Sequence, residues 1–320
     1  MIDSNTQPAT ADAGAIRLRS LPVQGASQID GLRLVETQAG PVLLYSTQVC
    51  RTPRRGLYDC EMRISAVAAD QPERVTPVAT LPRLLPSPPS WDARAVQGGY
   101  EVLFEEAGGA IYSLQLRDAS SQITSPSSAR FLQSFTRPRF VRGMAAAQSR
   151  ATIAIVDDQK LAVLPEVGAQ PIVLVDAAEG VVGRAQHDFW AVTKTFVGGP
   201  AMYDESPGRL AVSRWAGFDA AAGASSTAFP GFLGFEFDAA WLGNDVIVFA
   251  TGKPAALLRS SQPARAIALV AEDRQWLSRL SRPTISVANG RVHVAAIVDP
   301  ATEGARIVYG DFAVDVALRP

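Results

Sequence analysis

The chain has 320 residues, of which 47% are apolar and 19% charged, and its formal net charge is −1. There is enough apolar material for a large core, and too little net charge for a partner recognised through a long-range field, such as duplex nucleic acid or an anionic membrane surface. No apolar run reaches the roughly 18 residues that a membrane-spanning helix needs, which excludes a helical transmembrane segment.

Residues 1–14 are polar and rich in small side chains, without the basic start and apolar centre of an export signal. They read as a flexible tail, native or the truncated remnant of an export signal, and 15–320 as a single domain. Within that domain one pattern recurs six times: a short apolar run, a turn, and a longer apolar run. Leu32 to Val35 turns at Ala39-Gly40 into Val42 to Tyr45, and Ala93 to Val96 turns at Gly98-Gly99 into Tyr100 to Phe104. Met144 to Ala147 turns at Gln148-Ser149 into Ala151 to Val156, and Val181 to Ala185 turns at His187-Asp188 into Phe189 to Val197. Ala239 to Leu242 turns at Gly243-Asn244 into Val246 to Phe249, and Ile285 to Ala288 turns at Asn289-Gly290 into Arg291 to Val298. Gly, Asn and Asp concentrate at these turns because tight hairpins require positive φ at their centre.

From Gly40 to Gly290 the unit repeats on average about every 50 residues, the length that four strands of roughly 5–6 residues and their turns occupy. Several units supply the further strands, as in Ala110 to Leu116 with Arg130 to Ser134. The predicted fold is therefore all-β, a six-bladed β-propeller of four-stranded antiparallel blades. Phe312 to Leu318 is the expected fourth strand of the last blade, with Ile16 to Leu21 added beside it or closing the ring.

Cys50 and Cys60 are the only cysteines. They flank one hairpin loop, which can bring them within reach of a disulfide. Such a bond implies an oxidising compartment, periplasmic or extracellular, whereas a reduced pair is compatible with a cytoplasmic site.

In a propeller, the segments leading into the innermost strands ring one mouth of the central channel. Here they carry Trp91, Asp92, Arg137, Arg139, Asp238, Arg279 and Arg282, the predicted ligand-binding set. Convergent guanidinium groups suit a carboxylate, sulfate or phosphate because each offers paired donors in one plane. The same arginines can instead pair with Asp92, Glu236 and Asp238. No catalytic residue is assigned: the two histidines, His187 and His293, accompany no nucleophile elbow, and His293, between Val292 and Val294, reads as a hydrogen-bonded structural residue. Neither a metal site nor a cofactor is expected, since no calcium-loop pattern or Cys-x-x-Cys occurs.

The segments Ser281 to Val294 and Thr136 to Val141, each with an Arg-Pro ahead of an inner strand, resemble the six-bladed sialidase-like propellers. That resemblance implies an arginine able to hold a substrate carboxylate. The Asp-boxes of those proteins are absent, so their activity does not transfer. The function expected is a non-catalytic, monomeric binding module that engages a protein or glycan ligand at the channel mouth. Two alternatives are a sialidase-like glycoside hydrolase or lyase acting on acidic glycans, and an inhibitor or immunity-type partner of a toxin.

Overall fold

The computed structural model describes residues 16–23, 29–54, 57–83, 91–106, 110–117, 130–134, 138–147, 150–157, 160–164, 172–176, 179–185, 188–196, 207–216, 225–252, 255–300 and 302–314. Among these the chain is almost entirely β-strand, with one short 3₁₀ turn at Arg274–Ser278. After β1 (Ile16–Leu21), the strands fall into six consecutive antiparallel groups. The first holds β2 (Ile29–Thr37), β3 (Gly40–Arg54), β4 (Leu57–Ala68) and β5 (Gln71–Arg83). The second holds β6 (Trp91–Val96), β7 (Gly99–Glu106), β8 (Ala110–Arg117) and β9 (Arg130–Ser134), and the third β10 (Pro138–Ala147), β11 (Arg150–Asp157), β12 (Lys160–Leu164) and β13 (Ile172–Asp176). The fourth holds β14 (Glu179–Ala185), β15 (Asp188–Phe196), β16 (Gly208–Ala216) and β17 (Ser225–Gly234). The fifth holds β18 (Phe237–Leu242), β19 (Asp245–Ala250), β20 (Ala256–Arg259) and β21 (Ala266–Ala271), and the sixth β22 (Leu280–Ala288), β23 (Arg291–Val298) and β24 (Arg306–Ala313).

The innermost strands β2, β6, β10, β14, β18 and β22 each touch the next, and β22 touches β2, so the groups stand around a common axis. The core lies between neighbouring groups, and the second strand of each described group explains why. Side chains alternate faces along a strand. On β3, Leu44 packs toward Trp91 and Val102 of the second group, while Leu43 packs toward Ala295 and Ile297 of the sixth. Along β19, Ile247 and Phe249 meet Val292 and Val294, while Val246 and Val248 meet Trp190 and Val212. A strand buried on both faces has no polar side to show, which is why these segments read as unbroken apolar runs.

Closure is made by β1. Its first half runs parallel to β21, pairing Ile16 with Leu269 and Leu18 with Ala271; its second half runs antiparallel to β24, pairing Arg19 with Tyr309 and Leu21 with Ile307. One strand thus fuses the fifth and sixth groups into an eight-stranded sheet and covers two edges that would otherwise be open. Gly310 permits the crossing, since a Cβ there would lie 2.8 Å from the Arg17 carbonyl oxygen. The expected fourth strand at Phe312 to Leu318 is corrected: 306–313 is the third strand of its group, β1 supplies the fourth, and 315–320 lie outside the described residues. The full-length apolar register against β23, from Arg291↔Ala313 to Val298↔Arg306, decides that placement.

A polar cluster fastens the hairpins of the fifth group. Asp245, at the start of β19, accepts hydrogen bonds from Ser260 Oγ (2.5 Å), Ser261 N (2.8 Å) and Arg259 Nε (2.9 Å), and from the Ser261 hydroxyl. Burial by itself would raise the Asp245 carboxyl, but the bonds from Ser260, Ser261 and Arg259 outweigh it and hold the group below its ordinary 3.8. The stabilisation is therefore present above the unfolded value and lost as pH falls through the lower folded one. Asp245→Asn is expected to cost about 1.5–3 kcal/mol at neutral pH and to flatten the acid limb of the stability profile. Melting temperatures across an acid pH series check this, and curves that stay parallel to wild type would refute it.

Among the described residues, no helix is long and apolar enough to cross a membrane.

Candidate functional site at the channel mouth

Three inner strands begin alike, with an apolar residue followed by aspartate: Ile29-Asp30 on β2, Trp91-Asp92 on β6 and Phe237-Asp238 on β18. The apolar side chain turns into the core and the carboxylate is left at the mouth, where those of Asp92 and Asp238 bond across group boundaries. Asp92 Oδ1 accepts from Arg33 Nε of the first group (3.0 Å) and from Ala93 N (2.8 Å). Asp238 Oδ1 accepts from Ala239 N (2.9 Å), while its Oδ2 accepts from Ile285 N of the sixth group (3.0 Å). Asp30 Oδ1 accepts from Ser46 Oγ (2.5 Å), whose oxygen in turn accepts from Trp91 Nε1 (3.1 Å).

Arg282 sits at the centre of this belt. It lies in a bulge of β22, where the register slips between Ser281↔Ile297 and Thr284↔Ala295. Its φ is +51° and the next residue is Pro283, a combination that costs an L-residue energy and is disfavoured further ahead of proline. The other two described non-glycine residues with positive φ, Asn289 and Asp299, stand in turns. Glu236 compensates the strain: Oε2 accepts from Ser281 Oγ and Arg282 N, both at 2.6 Å, and Oε1 accepts from Arg282 Nη1 at 2.8 Å. Arg282 Nε also donates to the Asp30 carbonyl oxygen at 3.2 Å. The guanidinium is thus held from both sides while 34% of the side chain stays accessible.

Two further pairs complete the belt. Arg33 donates to the carbonyl oxygens of Leu32 (2.6 Å) and Trp91 (3.1 Å) and lies 5.6 Å from the Trp91 ring centre. Lys194 is fully buried, 3.0 Å from Glu179 Oε1, and donates to the Phe235 carbonyl oxygen at 2.5 Å.

Of the predicted ligand-binding set, Trp91, Asp92, Asp238 and Arg282 come together here. Trp91 is only 4% exposed, so it packs as core and offers no open ring face. Arg279 stands apart on the rim in an exposed pair with Asp299, its Nε at 2.6 Å from Oδ1. Arg139 is placed by its backbone at the second position of β10, while Arg137 and His187 lie outside the described residues. Asp30, Arg33, Ser46, Glu179 and Lys194 escaped sequence reasoning, although the apolar-Asp repeat at 29–30, 91–92 and 237–238 was a readable signal for the first of them. His293 is buried and bonds Tyr309 Oη through Nδ1 at 2.7 Å, away from the mouth.

No family model matches this chain, and no curated protein matches it. Solved structures do, over most of its length. An α-L-arabinanase of Penicillium chrysogenum, determined with arabinobiose, has a TM-score of 0.58 at 10% identity and covers 90% of this chain and 94% of its own. The endosialidase of phage phi92 has a TM-score of 0.53 at 9% identity and covers 92% of this chain and 68% of its own. A protein of unknown function from Dyadobacter fermentans has a TM-score of 0.52 at 14% identity and covers 93% and 98%. At such identities the likeness concerns architecture, and with the strand groups described above it makes this chain an all-β protein of the propeller fold.

Proposed function

We propose that this chain is a six-bladed propeller that works as a non-catalytic binding module in a periplasm or outside the cell, taking an acidic glycan or an acidic protein segment at the channel mouth through Arg282. The observation that carries this reading is the strained, clamped backbone of Arg282. A non-glycine residue at positive φ costs about 1–3 kcal/mol, and folds retain such costs chiefly where function uses the geometry. Here the strain presents a guanidinium that keeps donors beyond those engaged by Glu236 and Asp30, and a planar fork suits a carboxylate. Hydrolysis needs two carboxyl groups free to handle protons across a shared pocket. Asp92, Glu236 and Asp238 instead each accept hydrogen bonds across a group boundary, which favours binding over turnover.

The test is a titration of the full chain with carboxylate-bearing oligosaccharides and acidic peptides. Arg282→Ala is expected to weaken binding about 10- to 100-fold, or about 1.4–2.7 kcal/mol, with Arg282→Lys intermediate because ammonium cannot bind two oxygens in plane. Equal affinity of all three proteins would remove Arg282 from the site. The rival reading, a glycoside hydrolase, draws on the arabinanase and endosialidase likenesses. Release of reducing sugar from arabinose- or sialic-acid-containing glycans by the wild-type chain, lost in Asp92→Asn or Glu236→Gln, would replace the binding reading with that one.

A further inference from the structure

The β3–β4 hairpin is longer than its group requires. The last rung between β2 and β3 joins Ile29 to Thr47, yet β3 continues seven residues further, to Arg54. At about 3.3 Å per residue that is an overhang of roughly 23 Å. It extends on the side where β2 begins, because β3 runs back along β2 toward that end, so the arm rises beside the channel mouth. On its other side β5 accompanies β4 only as far as the rung Cys60↔Arg83. Among the described residues, the arm past that rung is two-stranded, with Arg51 opposite Asp59 and Arg54 opposite Leu57. A two-stranded ribbon by itself is marginal in water.

The two cysteines of the chain stand directly opposite each other at this boundary, Cys50 on β3 and Cys60 on β4. Directly opposed residues of an antiparallel pair have Cα atoms about 4.5 or 5.5 Å apart depending on the rung, and both values fall in the range a disulfide spans. We infer that Cys50 and Cys60 form an intramolecular cross-strand disulfide that clamps the overhanging arm, making the order of this element beside the mouth dependent on redox state. Formation is an exchange with a small-molecule or protein disulfide: the two thiols lose their protons and two electrons, one S–S bond forms, and the oxidant leaves as two thiols. The position is the one where a cross-link does most, at the foot of the part that no other described strand of the sheet accompanies.

The experiment uses the full chain, produced with export to the periplasm and also equilibrated with oxidised glutathione, followed by alkylation and intact-mass measurement before and after reduction. The expected result is a monomer that takes up no alkylating groups until it is reduced, and then two. Full alkylation without reduction, or a disulfide joining two chains, would overturn the pairing. Trypsin then reads the clamp, since Arg51, Arg54 and Arg55 supply cleavage sites in the sequence between the two cysteines. Cleavage between residues 51 and 56 is expected to be at least about tenfold slower in the oxidised chain than in the reduced chain or in Cys60→Ser. Equal cleavage rates would overturn the clamping role even if the bond forms.

Discussion

Lys194→Met is expected to destabilise the protein by about 3–5 kcal/mol, because it removes one member of a buried ion pair and leaves the other charge behind. Lys194 is fully buried on β15 and lies opposite Glu179 in the β14–β15 register, with its ammonium 3.0 Å from the carboxylate. The same ammonium donates to the Phe235 carbonyl oxygen, in the connection from the fourth to the fifth group, so one side chain serves both. The surroundings are built around it: a Cβ on Gly208 would fall 2.5 Å from Lys194 Cγ. In a thermal scan of a 320-residue domain the loss corresponds to a fall of roughly 4–8 °C. The double variant Lys194→Met/Glu179→Leu is expected to regain most of that stability, since a buried pair replaced as a whole by apolar groups costs little. A single variant within about 1 kcal/mol of wild type would show that the pair is not desolvated in the folded protein.

The second large effect is at Trp91. Trp91→Ala is expected to cost about 3–5 kcal/mol, the range for deleting a buried aromatic side chain. The indole is 4% exposed, packs in the core between the first and second groups, and donates to Ser46, which in turn holds Asp30. Gly31 leaves the room for it, because a Cβ there would lie 2.6 Å from both Trp91 Nε1 and Ser46 Oγ. Gly31→Ala should therefore reproduce part of the loss without touching the ring. Urea titrations of both variants check the size of the effect. A Trp91→Ala protein that kept its stability and lost only ligand affinity would restore the residue to the binding surface.

These two residues mark the boundary of what could be read from the chain. Sequence reasoning placed Trp91 and Asp92 in the segment leading into an inner strand, and the structure has them as the first two residues of that strand, β6. It could not tell that the ring points into the core, because that depends on a glycine 60 positions earlier in the chain. Lys194 was invisible for a related reason: in Thr193-Lys194-Thr195 it looks like the polar end of a strand, and its partners Glu179 and Phe235 lie 15 and 41 positions away. The cysteines went the other way. Their hairpin was legible, and the backbone register then set Cys50 opposite Cys60 without intervention from any distant segment.

The all-β character of the chain and its repeated hairpins are legible in the residues alone. Strand and turn are local matters: burial on both faces writes an unbroken apolar run such as Asp245–Ala250, and positive φ selects Gly40, Gly98, Gly243 and Asn289-Gly290. Tertiary structure alone decided how β1 divides itself between β21 and β24, and which charges meet. Glu236 and Arg282 are separated by 46 positions and Arg33 and Asp92 by 59. Attraction between charges depends on separation in space and on the water excluded between them, and neither quantity exists until neighbouring groups have packed around the axis.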